Sequence, residues 1–432
     1  MIWLYRLLFP LIVLAMAPHY LWRMRRRGGY AKRFAQRFGA HQVPARSRKA
    51  RRIWLQAVSV GEIHAVGPVV NALARDGVEI YLTTTTSTGY RLATERYSGR
   101  TLGIGYFPLD WWPFSSWAWR RIAPDVAVLM EGERWPEHVR QARIRGVPVI
   151  NINARLSDRT FARLSTWGKR LPSLTRLLLG GVTRTLPCSA RDEERFRQLG
   201  VDPRSLTTTG NLKLDVPLPP LDQAERARLR KGLGLPEGPI LVGASTWPGE
   251  EEALLGVLRA VREAGIGCTL LIVPRHAERR FGIEKLLKAS GLRFHFRSKG
   301  PAPGEVDVAV GDTTGELRKW VQLADLVFVG KSLPPHTEGQ TPVEAAAAGK
   351  PLLFGPGMSN FADIAKDLLA RGAARRVQTP KELEAAAKEL LGDPERCRAL
   401  AAAGAAWRAE NGGAAARTVE VIRECLARAG RR

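Results

Sequence analysis

Short apolar runs alternate with helix-forming segments along most of this 432-residue chain, and this alternation restricts its fold more than any other feature. Parallel strands require a crossover connection, usually a helix, so regular alternation is typical of parallel α/β layers. The pattern begins near residue 51, lapses over the proline-rich and charged residues 215–238, and then resumes. The sequence therefore predicts an α/β protein with two Rossmann-like parallel-sheet domains in tandem.

Changes in composition along the chain define its predicted segments. Two α/β domains in tandem are expected to hold a ligand in the cleft that faces the carboxyl ends of their strands. The predicted segments are a membrane anchor at 1–22, a basic juxtamembrane segment at 23–50, an N-terminal α/β domain at 51–214, a linker at 215–238, a C-terminal α/β domain at 239–400 and C-terminal helices at 401–432.

The first 22 residues are almost wholly apolar, and Arg6 is their only full charge. About 20 apolar residues suffice to span a bilayer. Arginines follow this run directly, which by the positive-inside rule leaves the rest of the chain in the cytoplasm. A secretory signal would instead carry charge before a shorter apolar core and a small-residue cleavage site after it. The alternative to a spanning helix is an interfacial helix, interrupted at Pro10 and Pro18.

The chain is strongly basic, with 67 Lys and Arg against 41 Asp and Glu and a formal net charge of +26. Such an excess favours an anionic partner: nucleic acid, anionic lipid or a phosphorylated substrate. The basic residues are dispersed, and no nucleic-acid-binding motif accompanies them. We therefore predict contact with an anionic membrane surface and no nucleic-acid partner.

Metal and redox chemistry have no recognisable signature in the sequence. The four cysteines form no CxxC pair and are expected to be ordinary thiols in a reducing compartment. No group of His, Cys and carboxylates has the spacing of metal ligands, and no Walker loop is present. We therefore expect a site without a metal or a bound cofactor.

Polar residues at the ends of predicted strands supply candidate catalytic groups in the first domain. Glu62 begins a helix after the first strand, where its carboxylate either acts as a general base toward a hydroxyl or completes a capping box with Ser59. Glu131 ends a buried strand within an acidic cluster, and it has either a catalytic role or a place in an ion pair. Arg155 offers a guanidinium suited to a phosphate or carboxylate. Lys213 either faces the cleft or is solvated.

The second domain contains candidate nucleotide-binding turns. Arg275 follows a strand, where a guanidinium suits a nucleotide phosphate or base edge. Residues 311–316 form a turn into a helix. The strongest helix start in the chain has Thr341 as N-cap, Pro342 at the first helical position and Glu344 completing a capping box. The same Glu344 carboxylate is also able to accept hydrogen bonds from ribose hydroxyls.

Seven motifs in a fixed order resemble the Kdo transferases of lipopolysaccharide synthesis, a family of GT-B glycosyltransferases. The resemblance implies a GT-B fold and transfer of 3-deoxy-D-manno-octulosonate (Kdo) from its CMP-activated form to a phosphorylated lipid A precursor. It also implies inversion without a metal, at the cytoplasmic face of the bacterial inner membrane. The motifs lie at 59–62, 130–136, 153–157, 209–215, 274–279, 311–317 and 342–346.

The resemblance also implies roles for particular residues. Glu62 corresponds to the proton acceptor, and Glu131 and Lys213 correspond to residues that stabilise the transition state. The residues that correspond to the CMP pocket are Pro274, Arg275, Thr314, Gly315, Glu316, Thr341, Pro342, Val343 and Glu344.

Three segments depart from the usual pattern of the family, and all three belong to the donor side. Lys331 replaces a glycine, residues 338–341 (EGQT) replace Gly-Gly-His-Asn, and residues 245–251 (STWPGEE) replace Ser-Thr-His-Glu-Gly-Glu-Glu. The alternative is therefore a related GT-B transferase that uses another activated sugar acid or nucleotide sugar. A membrane-tethered binder of nucleic acid or anionic lipid without catalysis would explain the charge but not the ordered motifs.

Overall fold

The computed structural model describes residues 1–26, 33–47, 50–313 and 315–429. Two compact units make up the chain: Met1–Val216 with Gly412–Arg432, and Pro217–Asn411. Two sequence predictions fall outside this description. One concerns Thr314, and the other concerns the part of the basic juxtamembrane segment that comprises the side chains of residues 23–26 and residues 27–32 and 48–49.

The first unit is built on a six-stranded parallel sheet with the order β3-β2-β1-β4-β5-β6. This order, with its reversal beside the first strand, is that of a doubly wound nucleotide-binding fold. The strands are β1 (Arg52–Gln56), β2 (Glu79–Thr84), β3 (Gly103–Tyr106), β4 (Val126–Met130), β5 (Val149–Ala154) and β6 (Arg184–Pro187).

Helices cover both faces of this sheet, because successive residues of a strand point to opposite sides. Ile53 and Leu55 of β1 enter one hydrophobic core, and Trp54 between them enters another. The helices are α1 (Ile2–Arg26), α2 (Val60–Ala65), α3 (Gly67–Arg75), α4 (Ser87–Tyr97), α5 (Trp112–Ile122), α6 (Pro136–Ile144), α7 (Asp158–Arg170), α8 (Pro172–Leu179) and α9 (Ala190–Gln198), with 3-10 turns at Phe34–Phe38, Pro203–Ser205 and Leu212–Asp215.

The second unit is built on a seven-stranded parallel sheet with the order β13-β12-β11-β7-β8-β10-β9. Its strands are β7 (Ile240–Thr246), β8 (Thr269–Pro274), β9 (Phe294–Phe296), β10 (Val308–Val310), β11 (Leu326–Val329), β12 (Leu352–Phe354) and β13 (Arg375–Arg376). Its helices are α10 (Gln223–Leu233), α11 (Glu250–Glu263), α12 (Arg280–Ser290), α13 (Leu317–Leu323), α14 (Val343–Ala347), α15 (Ala362–Ala370), α16 (Pro380–Gly392) and α17 (Pro394–Asn411), with 3-10 turns at Ala277–Arg279, Arg297–Lys299 and Ser359–Phe361. The prediction of two parallel-sheet α/β domains is confirmed.

The last helix, α18 (Ala414–Ala429), returns to the first unit. Its apolar residues recur every three or four positions, and Val419, Ile422 and Leu426 are buried in the first unit's core. The sequence instead predicted a segment of C-terminal helices at 401–432, separate from the N-terminal domain. It also predicted a linker at 215–238, whereas these residues include α10, which belongs to the second unit.

Candidate active site

Strained backbone marks the carboxyl edge of both sheets. Four residues other than glycine have left-handed φ angles there: Glu131 (55°) after β4, Asn153 (51°) in β5, Ser245 (59°) in β7 and Lys331 (58°) after β11. Such strain costs about 1–3 kcal/mol per residue and is concentrated at functional sites. The carboxyl edge is also where open α/β sheets bind their ligands.

Glu62 lies in the first turn of α2, with only 7% of its surface exposed. Its Oε2 accepts a hydrogen bond from the Val58 amide at 2.8 Å, and its Oε1 accepts one from the Ser59 hydroxyl at 3.0 Å. The Ser59 Oγ in turn accepts from the Glu62 amide at 3.3 Å. Burial, together with the negative charges of Glu131 and Glu133, raises the pKa of Glu62 to about 7. Glu62 therefore caps its helix and also titrates near neutrality, so the two interpretations of this residue are compatible.

Glu131 and Lys213 form an ion pair, with 2.8 Å between Lys213 Nζ and Glu131 Oε1. The Asn153 amide group donates to the same Glu131 oxygen at 3.4 Å. Burial by itself raises the pKa of Glu131, but Lys213 and Arg155 outweigh that effect and bring the pKa below its ordinary value. The pKa values of Glu62 and Glu131 are thus driven apart, as is typical of paired carboxylates with different roles.

The backbone around Lys213 is fixed by two asparagines. Asn153 Oδ1 accepts from the Leu212 amide at 2.9 Å, and Asn211 Oδ1 accepts from the Lys213 amide at 3.1 Å. Because Asn153 contacts both Glu131 and the turn that carries Lys213, it holds the two ends of the ion pair in register. The sequence singled out the motif of Asn153 only for the guanidinium of Arg155, although an asparagine is well suited to a left-handed position.

Asp215 connects the same turn to the last helix of the chain. Its two carboxylate oxygens accept from the amides of Gly413 at 2.7 Å and Ala415 at 2.5 Å. A carboxylate at a helix N-terminus satisfies free amides and interacts favourably with the helix dipole. The return of α18 to the first unit therefore supports the position of Lys213.

Glu133 is a third carboxylate at this edge. Burial raises its pKa to about 7, and its Oε2 accepts a hydrogen bond from the Trp135 indole at 2.5 Å. The neighbouring Arg134 donates to the Gly132 carbonyl at 3.0 Å. Sequence reasoning treated this acidic cluster as one unit, whereas the structure gives Glu131 and Glu133 opposite electrostatic environments.

In the second unit, Glu344 has an unsatisfied carboxylate oxygen. Its Oε2 is buried and has no hydrogen-bond partner. The predicted capping box is wrong in this respect, because α14 begins at Val343 with Pro342 as its N-cap. Glu344 is therefore one position too early to reach back to the cap, while Thr341 Oγ1 still accepts from the Val343 amide at 3.2 Å. A buried acceptor without a donor suits a ligand hydroxyl.

The other predicted nucleotide-binding residues lie at the same edge of the second sheet. Pro274 ends β8 and pairs with Thr246 of β7, and the exposed Arg275 follows it. Gly315, with a φ of 93°, and Glu316 come after β10, where Glu316 accepts from the Thr313 hydroxyl. Since β11, β7, β8 and β10 are consecutive in the sheet, their carboxyl ends bring these segments to one side.

The departures from the family pattern form one cluster. Lys331 Nζ lies 4.3 Å from the centre of the Trp247 ring and 3.2 Å from Glu338 Oε1. Trp247 packs edge-on against His276 and His336, with ring centres 5.4 and 5.8 Å apart. The departures lie in three separate segments of the sequence, and these contacts bring Lys331, Trp247 and Glu338 together in one cluster.

Glu250 fixes the backbone at both segments of this cluster. Its carboxylate accepts hydrogen bonds from the amides of Lys331 at 2.7 Å, Ser332 at 2.8 Å and Trp247 at 2.9 Å.

Within the described ranges, no group of three or more His, Cys, Asp or Glu side chains is arranged to hold a metal ion.

Comparison with solved structures identifies the fold. A glycosyltransferase from Rickettsia africae matches with a TM-score of 0.61 and 12% identity, over 88% of this chain and 99% of that one. The UDP-GlcNAc 2-epimerase of Neisseria meningitidis matches with a TM-score of 0.56 and 13% identity, over 87% of this chain and 100% of that one. With the two parallel sheets described above, these matches confirm the predicted GT-B fold.

Sequence comparison defines the family. Residues 32–216 match the family model for 3-deoxy-D-manno-octulosonic-acid transferase (kdotransferase). The 3-deoxy-D-manno-octulosonic acid transferase of Bordetella pertussis is 36% identical, over 97% of this chain and 99% of that protein. The transferase of the same name from Haemophilus influenzae is 32% identical, over 92% of each chain. The chain belongs to the Kdo transferase family and is a glycosyltransferase, as its motifs predicted.

Proposed function

We propose that this protein transfers Kdo from CMP-Kdo to a phosphorylated lipid A precursor, with inversion, without a metal, at the cytoplasmic face of the bacterial inner membrane. One observation carries the proposal. A buried carboxylate, Glu62, has a pKa of about 7 beside a second carboxylate, Glu131, that an ammonium group keeps ionised. A general base works best when its pKa lies near the operating pH.

The reaction begins at an acceptor hydroxyl next to Glu62. The carboxylate of Glu62 takes the hydroxyl proton while the acceptor oxygen forms a bond to the anomeric carbon of Kdo. The bond from that carbon to the CMP phosphate oxygen breaks, and its electron pair leaves with CMP. Attack from the side opposite the leaving group inverts the configuration at the anomeric carbon.

Glu131 and Lys213 are proposed to stabilise the transition state. A sugar that loses its leaving group develops positive charge on the ring, as in other glycosyl transfers. The ion pair with Lys213 keeps Glu131 in its charged form, so a fixed negative charge is available to that ring. Lys213 in turn supplies a positive charge for an anionic group of either substrate. Fixed charges in a site with little water stabilise such states strongly.

The second unit is proposed to bind CMP. The buried Oε2 of Glu344 has no donor, which fits a ribose hydroxyl. The exposed guanidinium of Arg275 fits the phosphate or the base edge. Pro274, Gly315, Glu316, Thr341, Pro342 and Val343 lie at the same carboxyl edge and complete the proposed pocket.

One observation bears on the identity of the donor. The cluster of Lys331, Trp247 and Glu338 differs from the family pattern at the place where the nucleotide sugar is proposed to bind. An ammonium group there suits the carboxylate of an activated sugar acid, Kdo included. The alternative remains a related GT-B transferase that uses another activated sugar acid or nucleotide sugar.

The experiment uses the purified full-length protein, vesicles that contain tetra-acylated lipid A precursor, and EDTA. Mass spectrometry should show the precursor gaining Kdo only when CMP-Kdo is present, and NMR of the product should show the inverted anomer. A product only with a different CMP-activated sugar acid would support the second donor. Loss of turnover in EDTA that a divalent cation restores would refute metal independence, and no product with any donor would refute the proposal.

A further inference from the structure

The N-terminal helix α1 is attached to the first unit through its first turn. Arg6 donates two hydrogen bonds to Glu137, from Nε to Oε2 at 2.8 Å and from Nη2 to Oε1 at 2.9 Å. Tyr5 donates its hydroxyl to Asp110 Oδ2 at 2.7 Å. Glu137 is 0% and Asp110 1% exposed, so both carboxylates depend on these partners.

The receiving site for Arg6 is built by the body of the protein. Asp110 accepts from the amides of Glu137 at 3.0 Å and His138 at 2.8 Å, which caps the first turn of α6. Gln141 donates to Glu137 Oε1 at 2.6 Å, and the Trp111 indole donates to the Arg6 carbonyl at 3.0 Å. A bidentate pair with a buried carboxylate is specific in geometry, and leaving that carboxylate alone is costly.

The chain that follows α1 is attached to the same unit. Arg37 accepts from the Leu109 amide at 2.8 Å through its carbonyl and donates to the Phe107 carbonyl at 2.7 Å through Nη1. Gln36 Oε1 accepts from the Tyr106 amide at 3.0 Å. Arg33 Nη1 donates to the Ile104 carbonyl at 3.2 Å. The body thus holds the N-terminal part of α1 and, beyond the helix, the chain at residues 33–37.

Residues Ile2–Trp22 form a helix long and apolar enough to cross a membrane, but while both attachments are made α1 has no membrane-spanning path in either direction. At about 1.5 Å per residue, Arg6 and Arg26 are about 30 Å apart along the helix, which equals the hydrocarbon thickness of a bilayer. If the N-terminus were on the far side, Arg6 would not reach Glu137. If instead the C-terminus of the helix were on the far side, the chain from Arg26 to Arg33 would have to cross back, and seven residues reach at most about 25 Å.

The exposed side of α1 is apolar. The partly covered positions recur every three or four residues, which gives the helix one face toward the body and one face away from it. Trp112 of α5, 54% exposed, lies 5.7 Å from the Arg6 guanidinium, and Trp117 is also exposed. The partly covered residues are Ile2, Tyr5, Arg6, Phe9, Pro10, Val13 and Ala17, and the exposed large apolar residues are Met1, Trp3, Leu4, Leu7, Leu8, Leu11, Ile12, Leu14, Met16, Tyr20, Leu21 and Trp22.

We propose that α1 lies in the plane of the membrane, with its exposed apolar face in the phospholipid leaflet and its N-terminus on the same side as the body. The inference rests on the membrane association proposed above. The exposed Trp112 beside the helix suits the interface between headgroups and acyl chains. The exposed Arg120 and Arg121 at the end of α5 suit anionic headgroups. Of the two anchoring modes that the sequence left open, the structure favours the interfacial one.

The first test is the side of the membrane on which the N-terminus lies. A single cysteine is added ahead of Met1 of the full-length protein, and a membrane-impermeant maleimide is applied to spheroplasts and to inverted inner-membrane vesicles. Peptide mass spectrometry locates the label. We expect labelling of the added cysteine in inverted vesicles only, and labelling in spheroplasts would overturn the in-plane placement.

The second test needs no extension of the chain. Arg6→Ala should lower the melting temperature of the vesicle-bound protein by several degrees, and the exchange Arg6→Glu with Glu137→Arg should recover part of that loss. Arg91→Ala, at an exposed arginine of α4, is the matched control and should have little effect. If Arg6→Ala behaves like Arg91→Ala, the attachment is absent in the membrane-bound enzyme.

A flotation assay separates this inference from the proposal on which it rests. Wild-type protein that fails to float with anionic vesicles would overturn the membrane association and the in-plane placement together. Protein that floats, yet is labelled from the spheroplast side, would overturn only the orientation of α1. Kdo transfer to a detergent-solubilised acceptor tests the proposed activity separately, because that assay needs no membrane.

Discussion

Substitution of Glu62 by glutamine should have opposite effects on activity and stability at alkaline pH. The carboxylate has an ordinary pKa of 4.5 and a pKa of about 7 in the folded protein. The folded state therefore binds this proton more tightly than the unfolded state, and stability falls as pH rises from about 4.5 to about 7. At about 1.4 kcal/mol per pKa unit, the ionised carboxylate costs about 3 kcal/mol above pH 7.

Glutamine removes that cost, but it also weakens the hydrogen bonds from Val58 and Ser59, because the acceptor is no longer charged. Together the weaker bonds reduce the stability by about 1 kcal/mol. We therefore expect Glu62→Gln to stabilise the first unit by about 1–2 kcal/mol at pH 8, or a few degrees in melting temperature, and not at pH 5. Turnover should fall by about 10²- to 10⁴-fold, because the general base is missing.

The assay pairs calorimetry at pH 5 and pH 8 with initial rates of Kdo transfer and with titration of CMP, whose affinity should be nearly unchanged. Glu95→Gln, at an exposed glutamate of α4, is the matched control and should change neither property. A Glu62→Gln protein that keeps wild-type turnover and is less stable at both pH values would show that Glu62 is only a helix cap.

Three further predictions concern the donor side and the membrane. Arg275→Ala and Glu344→Ala should each raise the Kd for CMP by about 10- to 150-fold, which is equivalent to the loss of one charge-assisted hydrogen bond. If calorimetry shows an unchanged CMP affinity in the folded Arg275→Ala protein, the second unit does not hold the nucleotide site. Lys331→Gly should raise the KM for the sugar nucleotide more than it raises the Kd for CMP alone. Stability should not fall, since glycine adopts the φ of 58° freely. Equal changes in both constants would indicate that the Lys331 ammonium group contacts the nucleotide and not the sugar. Deletion of residues 1–22 should leave CMP binding unchanged but lower the melting temperature of the first unit, because the buried Glu137 loses its cation. Flotation of the truncated protein with anionic vesicles should become salt-sensitive, and flotation that persists in high salt would contradict this prediction.

Local patterns in the sequence were enough to predict the architecture and much of the site. Fully buried parallel strands have near-continuous apolar sequences, which is why β4 and β7 were recognisable. Glu62 lies in the first turn of the helix that directly follows β1, so its location at the carboxyl edge followed from that strand. Lys213 is separated from β6 by α9 and a 3-10 turn, and its pairing with Glu131 was not predictable in this way.

Contacts between distant segments were not predictable from these patterns. Arg6 and Glu137 are 131 positions apart, and Asp215 and Ala415 are 200 positions apart. Neither pair has a local signature, because the partner of a buried charge depends on how the elements pack.

The environment of each carboxylate was likewise set by tertiary structure. Glu131 and Glu133 are two residues apart in the sequence, yet Lys213 lowers the pKa of one and burial raises the pKa of the other. Sequence spacing alone predicted an acidic cluster and left its chemistry open.

The pH dependence of Kdo transfer tests the central claim most directly. Full-length protein is incubated with CMP-Kdo and vesicles that contain lipid A precursor, and kcat/KM is measured by mass spectrometry of the lipid from pH 5.5 to 8.5. If Glu62 accepts the acceptor's proton, kcat/KM should fall about tenfold per pH unit below about 7 and level off above it. A profile that stays flat down to about pH 5.5 would contradict the assignment of Glu62 as the base.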